Sequence, residues 1–272
     1  MNNLITSTEE LKDILDDPHL IILDCSAPSN QAGLKSNCSN LKIKNSRYFD
    51  LKNDFSNQES EFPNMLPTVE QFEMACRKMG ISNHNQIVIY DNLGIYTSPR
   101  VWWMFKVMGH NNVTVLNGGL PEWVNSNYPL QNDYDINYEK GDFKCNFQEN
   151  LIATFHKIEN NREKENALVI DARKTERFNG IEKETRKNLR SGNIPSSINI
   201  PFNEVLNNGK FKNKAALKLV FQNLENESKE LIFSCGSGVT ACIVYMASEF
   251  ILNNPKSLYD GSWTEYGTLV TS

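Results

Sequence analysis

Short apolar runs that end in a polar or acidic residue recur along the chain and divide it into two similar halves. In the first half, Leu20–Asp24 reads LIILD and Gln86–Tyr90 reads QIVIY. In the second half, Ala167–Asp171 reads ALVID and Glu230–Ser234 reads ELIFS. Continuous apolar runs of this length are typical of strands that are buried on both faces. The pattern therefore predicts two sets of buried strands.

Helical patterns and further strands fill the intervals between these runs. Thr68–Met79 and Asn213–Leu224 are predicted to be amphipathic helices. Val113–Leu116 and Ser257–Tyr259 are short β-like runs that follow the second strand of each half. The alternation of strands and helices predicts the α/β class, with two tandem domains that each hold a largely parallel sheet flanked by helices.

Two polar segments interrupt this alternation. Gln131–Asn150 is irregular and poor in aliphatic residues, so we predict a linker at 131–150 between domains at 1–130 and 151–272. Thr175–Pro195 is charged and lacks apolar periodicity, and it is predicted to be a loop. Loops of this length inside a compact domain are more often functional than idle.

Charge and composition exclude several classes of protein. The 272 residues are 39% hydrophobic with a net charge of −5, so there is no overall positive field to hold nucleic acid or an anionic membrane. No apolar run approaches the length of about 18 residues that a membrane span needs. The first residues, MNNL, lack the features of a signal peptide. We therefore expect a cytoplasmic protein without nucleic-acid or membrane partners.

The six cysteines are spread along the chain without a CxxC pair, and the four histidines show no metal or triad spacing. This is not the pattern of a disulfide scaffold or a zinc site, so we predict free thiols and no metal. The cysteines are Cys25, Cys38, Cys76, Cys145, Cys235 and Cys242.

The two halves differ at one informative position, where a strand ends and a helical pattern begins. At an offset of 144 residues, Asp91 of the first half corresponds to Cys235 of the second. A helix N-terminus favours an anionic sulfur, because the macrodipole and the backbone N–H groups there stabilise negative charge. Gly236 and Gly238 allow those groups to surround the sulfur, and Thr240 is predicted to cap the helix. An inert thiol buried at the strand end is the alternative interpretation.

Two other chemistries do not fit this loop. The nucleophile elbow of serine hydrolases requires glycine at position 235, where the chain has Cys235. The phosphate-binding loop of cysteine phosphatases requires arginine at position 241, where the chain has Ala241.

Four arginines precede the loop, within the predicted functional segment. A guanidinium group binds a carboxylate through two parallel hydrogen bonds, so this cluster predicts a clamp for a small acidic substrate. A solvated basic loop is the alternative. The arginines are Arg173, Arg177, Arg186 and Arg190.

The hexapeptide CGSGVT, Cys235–Thr240, resembles the active-site loop of 3-mercaptopyruvate sulfurtransferases within the rhodanese superfamily. The resemblance covers nearly the whole chain and implies a non-catalytic rhodanese-like domain at 1–130 and a catalytic one at 151–272. Thiosulfate sulfurtransferases share the tandem architecture, but charged residues follow their cysteine, whereas Gly and Ser follow it here. The other similar segments are Met65–Pro67, Pro99–Phe105, Gly118–Trp123, Arg177–Gly180, Ser191–Pro195 and Tyr259–Trp263.

The resemblance implies a role for each residue of the site. Cys235 would form a persulfide, and Ser237 would donate a hydrogen bond to the reacting groups. Arg177 and Arg186 would hold the substrate carboxylate. No cofactor or metal is implied. The remaining substrate-binding residues would be Gly236, Gly238, Val239 and Thr240.

This chain departs from the family at a proposed proton relay. The family often places a histidine before Met-Leu-Pro and an aspartate further upstream, whereas this chain has Asn64 and, with a one-residue shift, Lys52 or Asn53. Because an amide cannot act as a base near neutral pH, solvent, another residue or the substrate must deliver the proton.

The activity implied is transfer of sulfur from 3-mercaptopyruvate to cyanide or to a thiol acceptor such as thioredoxin, with release of pyruvate. One alternative is a thiosulfate:cyanide sulfurtransferase. Another is a rhodanese-like binding module without activity, although retention of Cys235, Arg177 and Arg186 favours an enzyme.

Overall fold

The computed structural model describes residues 3–30, 32–184, 186 and 189–270. The chain divides into two units. The first runs to Gln58, continues over Leu66–Gln148 and includes Asn208–Phe211. The second contains Glu59–Met65 and Glu149–Asn207, and continues from Lys212. Each unit therefore takes a short segment from the half of the sequence that builds the other.

A parallel sheet of five strands forms the centre of the first unit. The apolar run Ile21–Leu23 is at most 3% exposed, as expected of a strand that is covered on both faces. In spatial order the strands are Ile5–Thr6, Val113–Leu116, Gln86–Tyr90, Leu20–Asp24 and Ser46–Tyr48. The helices are Thr8–Asp13, Val69–Lys78, Ser98–Val107 and Gly119–Asn125, and Lys42–Ile43 pairs antiparallel with Leu130–Gln131.

The second unit repeats the arrangement with a second parallel sheet of five strands. The strands are, in spatial order, Ile198–Asn199, Ala167–Asp171, Glu230–Ser234, Lys256–Tyr259 and Ile152–Ala153. The α-helices are Phe155–Lys164, Thr175–Phe178, Lys214–Val220, Ala241–Glu249 and Ser262–Leu269. Shorter elements are the 3₁₀ turns Glu149–Leu151, Phe202–Val205 and Gln222–Leu224 and the strands Leu206–Asn207 and Lys210–Phe211.

These elements confirm the predicted α/β class and the duplication. Two predicted helices begin one residue after a capping side chain: the Gln71 N–H donates to Thr68 Oγ1 and the Ala216 N–H donates to Asn213 Oδ1. Where one helix was expected over Asn213–Leu224, an α-helix ends at Val220 and a 3₁₀ turn follows.

The segment Thr175–Pro195 is less irregular than its composition predicts. It begins with the short helix Thr175–Phe178, and two of its apolar side chains, Leu189 and Ile194, are buried in the core of the second unit. The segment was predicted to be a loop, and among its described residues only the first four depart from that prediction; single apolar residues without periodicity anchor the rest to the core. No helix within the described part of the chain is long and apolar enough to cross a membrane.

A buried ion pair anchors the helix that lies beside the cysteine loop. Asp171 ends its strand and binds Arg173, with Oδ2 and Nη2 2.6 Å apart. The Arg173 guanidinium lies 4.7 Å from the ring centroid of Trp263, and that of Arg190 lies 4.6 Å from it. These contacts fix the first turn of the helix Ser262–Leu269, because Trp263 is fully buried.

Candidate active site

Cys235 follows the central strand of the second sheet, Glu230–Ser234, at its carboxyl end. The helix Ala241–Glu249 begins six residues later, and the Cys235 side chain is 2% exposed. In open parallel sheets the carboxyl ends of the strands are the usual place for ligands, because helix N-termini meet there. The predicted setting of Cys235, between a buried strand and a helix N-terminus, is confirmed.

Ser262 braces the cysteine loop from the neighbouring turn. The backbone N–H groups of Cys235 and Gly238 both donate to Ser262 Oγ, over 3.2 and 3.1 Å. Ser262 Oγ in turn donates to the Tyr259 carbonyl over 2.8 Å. Ser262 is fully buried and has a φ of 51°, a conformation that non-glycine residues rarely adopt. Sequence reasoning missed this role, because a serine in a YDGSW motif carries no signal of its partners.

The backbone of the loop is held at two further points by the same helix. The Trp263 N–H donates to the Cys235 carbonyl over 3.0 Å, and the Thr264 N–H donates to the Gly236 carbonyl over 3.1 Å. The Thr264 hydroxyl also donates to the Gly236 carbonyl. The carbonyl groups of Cys235 and Gly236 are therefore bound to the helix Ser262–Leu269.

In the corresponding loop of the first unit, the backbone N–H groups bind the side chain of Asp91. Asp91 Oδ2 accepts from the N–H groups of Tyr96, Thr97 and Ser98 over 2.8–3.0 Å, and from the Ser98 hydroxyl. Asp91 Oδ1 accepts from the Leu93 N–H over 3.0 Å. The loop thus holds an anion supplied by the chain itself.

At the offset of 144 residues, three of these donors correspond to Ser237, Thr240 and Ala241 in the second unit. Cys235 stands where the first unit has Asp91. By this correspondence, the same backbone N–H groups are available to a negatively charged sulfur on Cys235.

The first-unit loop is also covered by another part of the same unit. A Cβ atom on Gly94, the counterpart of Gly238, would lie 2.6 Å from the Gly209 carbonyl oxygen. Lys210 beside it forms an ion pair with Glu122, with Nζ and Oε1 2.6 Å apart. The segment Asn208–Phe211 therefore lies directly against that loop.

Two of the four predicted arginines lie beside the cysteine loop. A Cβ atom on Gly236 would lie 3.6 Å from Arg186 Nη2 and 3.8 Å from Arg177 Nη1. Arg173 and Arg190 instead pack on Trp263, so their proposed place in a substrate clamp is a misassignment. Sequence reasoning could not separate the two pairs, because all four precede the loop in one charged segment.

Glu184 joins the two arginines, and sequence reasoning missed it. Its Oε2 lies 2.6 Å from Arg177 Nη2, and its two oxygens each accept from Arg186, at Nε and Nη2, over 3.0 Å. Burial raises the pKa of the Glu184 carboxyl, but the hydrogen bonds and charges of the two arginines outweigh burial and lower it to about 2. Glu184 is therefore ionised throughout the neutral range.

Asn64, within the second unit, reaches the loop at the serine that follows Gly236. Its Nδ2 donates to Ser237 Oγ over 3.0 Å and to the Ser237 carbonyl over 3.3 Å. Asn64 has a φ of 61°, in the left-handed region that asparagine tolerates better than most residues. Sequence reasoning singled out this position, and the structure brings it to the predicted serine.

The prediction for Thr240 as a capping side chain was wrong. Thr240 occupies the N-cap position, but its backbone is helical and its side chain makes no capping hydrogen bond.

Cys242 is fully buried in the helix Ala241–Glu249, with its Sγ 3.3 Å from the Gly238 carbonyl oxygen. No cluster of three or more His, Cys, Asp or Glu side chains that could hold a metal occurs among the described residues.

The fold and the site define a tandem α/β protein with one cysteine-centred loop. The family model of the rhodanese-like domain matches residues 7–126 and 154–268. The chain belongs to the rhodanese family, as a tandem of two rhodanese-like domains.

Named relatives are similar over most of this chain. It is 36% identical to the 3-mercaptopyruvate sulfurtransferase of Homo sapiens, over 82% of this chain and 76% of that protein. It is 31% identical to the 3-mercaptopyruvate sulfurtransferase of Escherichia coli K12, over 94% and 92%. The mitochondrial thiosulfate/3-mercaptopyruvate sulfurtransferase 1 of Arabidopsis thaliana is 35% identical over 97% and 76%.

Solved structures agree with this family. The crystal structure of SseA from Escherichia coli matches with a TM-score of 0.85 and 30% identity, covering 96% of this chain and 99% of that one. The sulfur transferase subunit of yeast mitochondrial complex I matches with a TM-score of 0.87 and 31% identity, covering 99% and 98%. The predicted fold and family resemblance are confirmed.

Proposed function

We propose that this chain is a 3-mercaptopyruvate sulfurtransferase that carries sulfur as a persulfide on Cys235. The observation that carries the proposal is the position of the Arg177 and Arg186 guanidinium groups beside Gly236, the residue that follows the cysteine. An α-keto acid needs such cationic donors for its carboxylate, and the reaction needs a thiolate within the same loop. The names of the relatives support the same substrate.

In the first step, the Cys235 thiolate attacks the sulfur of 3-mercaptopyruvate. A sulfur–sulfur bond forms and the carbon–sulfur bond breaks, and its electron pair passes to the methylene carbon as the enolate of pyruvate. The substrate thiol releases one proton, and the enolate takes up one proton at its methylene carbon, so the number of protons is unchanged. The products are pyruvate and the Cys235 persulfide anion.

In the second step, an acceptor thiolate or cyanide attacks the outer sulfur of the persulfide. The bond between the two sulfurs breaks, and the electron pair returns to Cys235 as a thiolate. We propose a thiol acceptor of the thioredoxin kind, because a small exposed thiol can approach a sulfur that lies at the end of a sheet.

The loop and the arginines have distinct tasks in this scheme. The backbone N–H groups of Ser237, Thr240 and Ala241 receive the negative sulfur, as their counterparts receive Asp91. Arg177 and Arg186 bind the carboxylate and carbonyl oxygens of the substrate. The backbone of Gly236, Gly238 and Val239 lies against the substrate. Ser237 orients the reacting groups with its hydroxyl.

We also propose for this chain the domain roles and the cellular location that its sequence predicts. We propose that residues 151–272 supply the catalytic domain and residues 1–130 the non-catalytic domain, with 131–150 connecting them, although this connecting segment groups with the first unit as far as Gln148. We keep a cytoplasmic location as part of the proposal, although the name of the Arabidopsis relative places that protein in mitochondria.

Thiosulfate is the second candidate donor, because the same Arabidopsis relative carries both substrates in its name. Gly236 and Ser237 offer no additional positive charge next to Cys235. The cost of taking an ion out of water rises with the square of its charge, whereas its attraction to the two arginines rises only in proportion to the charge, so a dianion needs more positive charge than a monoanion to bind equally well. We therefore place 3-mercaptopyruvate first.

Steady-state kinetics with 3-mercaptopyruvate and thiosulfate side by side test the proposal. Cys235→Ser should abolish turnover, and mass spectrometry after exposure to substrate should find one added sulfur on the peptide that carries Cys235. Cys145→Ser, in the first unit and only partly buried, is the control and should leave both results unchanged. Sulfur found on another cysteine, or full activity of Cys235→Ser, would refute the proposal.

A further inference from the structure

Glu184 occupies the centre of the arginine pair that flanks the cysteine loop. Its side chain is only 5% exposed, and both carboxylate oxygens are bound by guanidinium groups. An acid in this place is unexpected in a site that must attract an anion, because it cancels part of the positive charge. Its role therefore needs an explanation beyond the capture of substrate.

The two arginines are engaged to different extents. Arg186 donates to Glu184 through Nε and Nη2, to the Gly236 carbonyl through Nη1 over 3.3 Å, and to the Thr264 hydroxyl through Nη1. Arg177 donates to Glu184 through Nη2 alone among the bonds between described residues. A guanidinium carries five N–H donors, so Arg177 has more donors available for a ligand than Arg186, which binds substrate and also braces the loop.

The charges of the three groups add to a simple total. Among the described residues of the cluster, the two guanidinium groups contribute two positive charges and the Glu184 carboxylate contributes one negative charge, which leaves a net charge of +1 for these three groups. The Cys235 thiolate is left out of this total because it faces every sulfur donor alike. A ligand with one carboxylate balances this cluster. A compact dianion of the same size leaves one negative charge that the cluster does not balance.

We infer that Glu184 determines substrate specificity by setting the arginine pair to a net charge that matches a monoanionic α-keto acid and disfavours a dianion such as thiosulfate. This inference rests on the proposed function for its substrates. It assigns Glu184 as a positioning and charge-setting residue, which contacts the two arginines and not the reacting atoms.

A role in folding alone predicts a different result. If Glu184 only held the loop in place, its replacement would weaken the use of every donor to a similar degree. If it sets the charge, its replacement by an uncharged side chain of the same shape must favour the dianion over the monoanion. The ratio of the kcat/KM values for the two substrates therefore separates the two roles of Glu184. The activity with either substrate alone does not.

The test compares Glu184→Gln, Glu184→Asp and the control Glu182→Gln. Glu182 is exposed and lies two residues away, so its replacement makes the same charge change in the same segment. The ratio of kcat/KM for thiosulfate to kcat/KM for 3-mercaptopyruvate is measured for each at low and high ionic strength. Glu184→Gln should raise this ratio about tenfold at low salt and less at high salt, because added ions screen the charge.

Two further variants keep the test decisive if Glu184→Gln folds poorly. Glu184→Asp retains the charge and should retain the wild-type ratio even where its kcat is lower. Arg177→Gln removes a positive charge and should move the ratio in the opposite direction. An unchanged ratio in Glu184→Gln, or an equal shift in Glu182→Gln, would overturn the inference.

A measurement without turnover separates this inference from the proposed function. Sulfate and pyruvate are added as a dianion and a monoanion, and their protection of Cys235 from alkylation by iodoacetamide is compared. In Glu184→Gln the protection by sulfate should increase relative to that by pyruvate. If the wild type does not use 3-mercaptopyruvate, the proposed function fails, and this protection ratio still supports or refutes the charge role of Glu184.

Discussion

The hydroxyl of Ser262 accepts the backbone N–H of Cys235 over 3.2 Å. The same oxygen accepts the Gly238 N–H, so one buried hydroxyl ties the two ends of the tightest part of the loop. Ser262 adopts a positive φ to reach this position. The corresponding first-unit residue is Gly119, because the next residue, Leu120, donates its N–H to the Asp91 carbonyl as Trp263 does to the Cys235 carbonyl. A Cβ atom on Gly119 would lie 2.4 Å from the Asp91 carbonyl oxygen. The second unit therefore has a serine with a strained backbone at this position, and the hydroxyl of that serine supports the cysteine loop.

This brace predicts that Ser262→Ala and Ser262→Gly both lower kcat/KM, by about 10- to 100-fold, since each leaves two buried N–H groups without their acceptor. Glycine relieves the strain of the positive φ and alanine does not. If backbone conformation alone mattered, Ser262→Gly would therefore match the wild type. The rate of Cys235 alkylation and the thermal midpoint are measured alongside the kinetics.

Ser248→Ala is the matched control for that comparison. Ser248 is also a fully buried serine whose hydroxyl donates to a backbone carbonyl, that of Tyr245, but it makes no bond to the loop. It should lower stability to a similar extent without altering the reactivity of Cys235. Wild-type kinetics in Ser262→Gly would contradict the bracing role.

The side chain at position 64 should decide whether the protonation of the enolate depends on pH near neutrality. Because an amide does not titrate, the wild type should show no inflection in kcat/KM at about pH 6.5 that depends on this position. Asn64→His should introduce such an inflection, since a histidine tolerates the left-handed backbone and would lie beside the Ser237 hydroxyl.

Asn127→His provides the control, because Asn127 also has a positive φ but lies in the first unit. It should leave the pH profile unchanged. A histidine-like inflection in the wild type that disappears on replacement of His19, His84, His110 or His156 would show that another relay operates.

The buried carboxylate of Asp91 should stabilise the fold without taking part in the reaction at Cys235. Its carboxylate is 1% exposed and accepts hydrogen bonds from four backbone N–H groups and a hydroxyl. Asp91→Ala should therefore lower the free energy of unfolding of the first unit by about 3–5 kcal/mol, as expected when buried donors lose a charged partner. Asp91→Asn should cost less, because its amide oxygen still accepts.

Urea denaturation followed by hydrogen exchange in the first unit measures this effect, with the exposed Asp54→Ala as the control. The folded fraction of Asp91→Ala should still load one sulfur onto Cys235. Complete loss of loading in a folded variant would mean that the first unit shares the chemistry.

Glu184 predicts how the second unit responds to acid. A carboxyl whose pKa is lowered to about 2 in the folded chain stabilises the fold above the pKa of the unfolded chain, about 4.3. This contribution is lost as the pH falls from about 4.3 through about 2. The stability difference between wild type and Glu184→Gln should therefore be constant near neutrality and should shrink in that acidic window. A difference that persists unchanged to about pH 2 would contradict the ionised state of Glu184.

The sequence predicted the parts of this protein that depend on local pattern. The strands Leu20–Asp24 and Ala167–Asp171 have the predicted bounds, because uninterrupted apolar runs have one stable place in a parallel sheet. The setting of Cys235 followed from the glycines beside it. Short strands at the edges, such as Ile5–Thr6, carry no such pattern and were missed.

The features that were missed depend on contacts between distant parts of the chain. Ser262 and Glu184 are common residue types whose roles come from the groups that they meet, which no spacing in the sequence encodes. The exchange of Glu59–Met65 and Asn208–Phe211 between the units is similarly invisible to a pattern that treats each half separately. The same limit explains why four arginines were grouped although two of them pack on Trp263.

The carboxylate of Asp91, bound by the backbone of its own loop, gives this protein an internal standard. The exchange rates of the Leu93, Tyr96 and Thr97 amides report how slowly such a loop opens when an anion is permanently bound. Their counterparts, Ser237, Thr240 and Ala241, can be compared with them in the same molecule and the same solvent. The residence of sulfur on Cys235 could thus be followed as a change in the local opening rate, calibrated by the loop that holds Asp91.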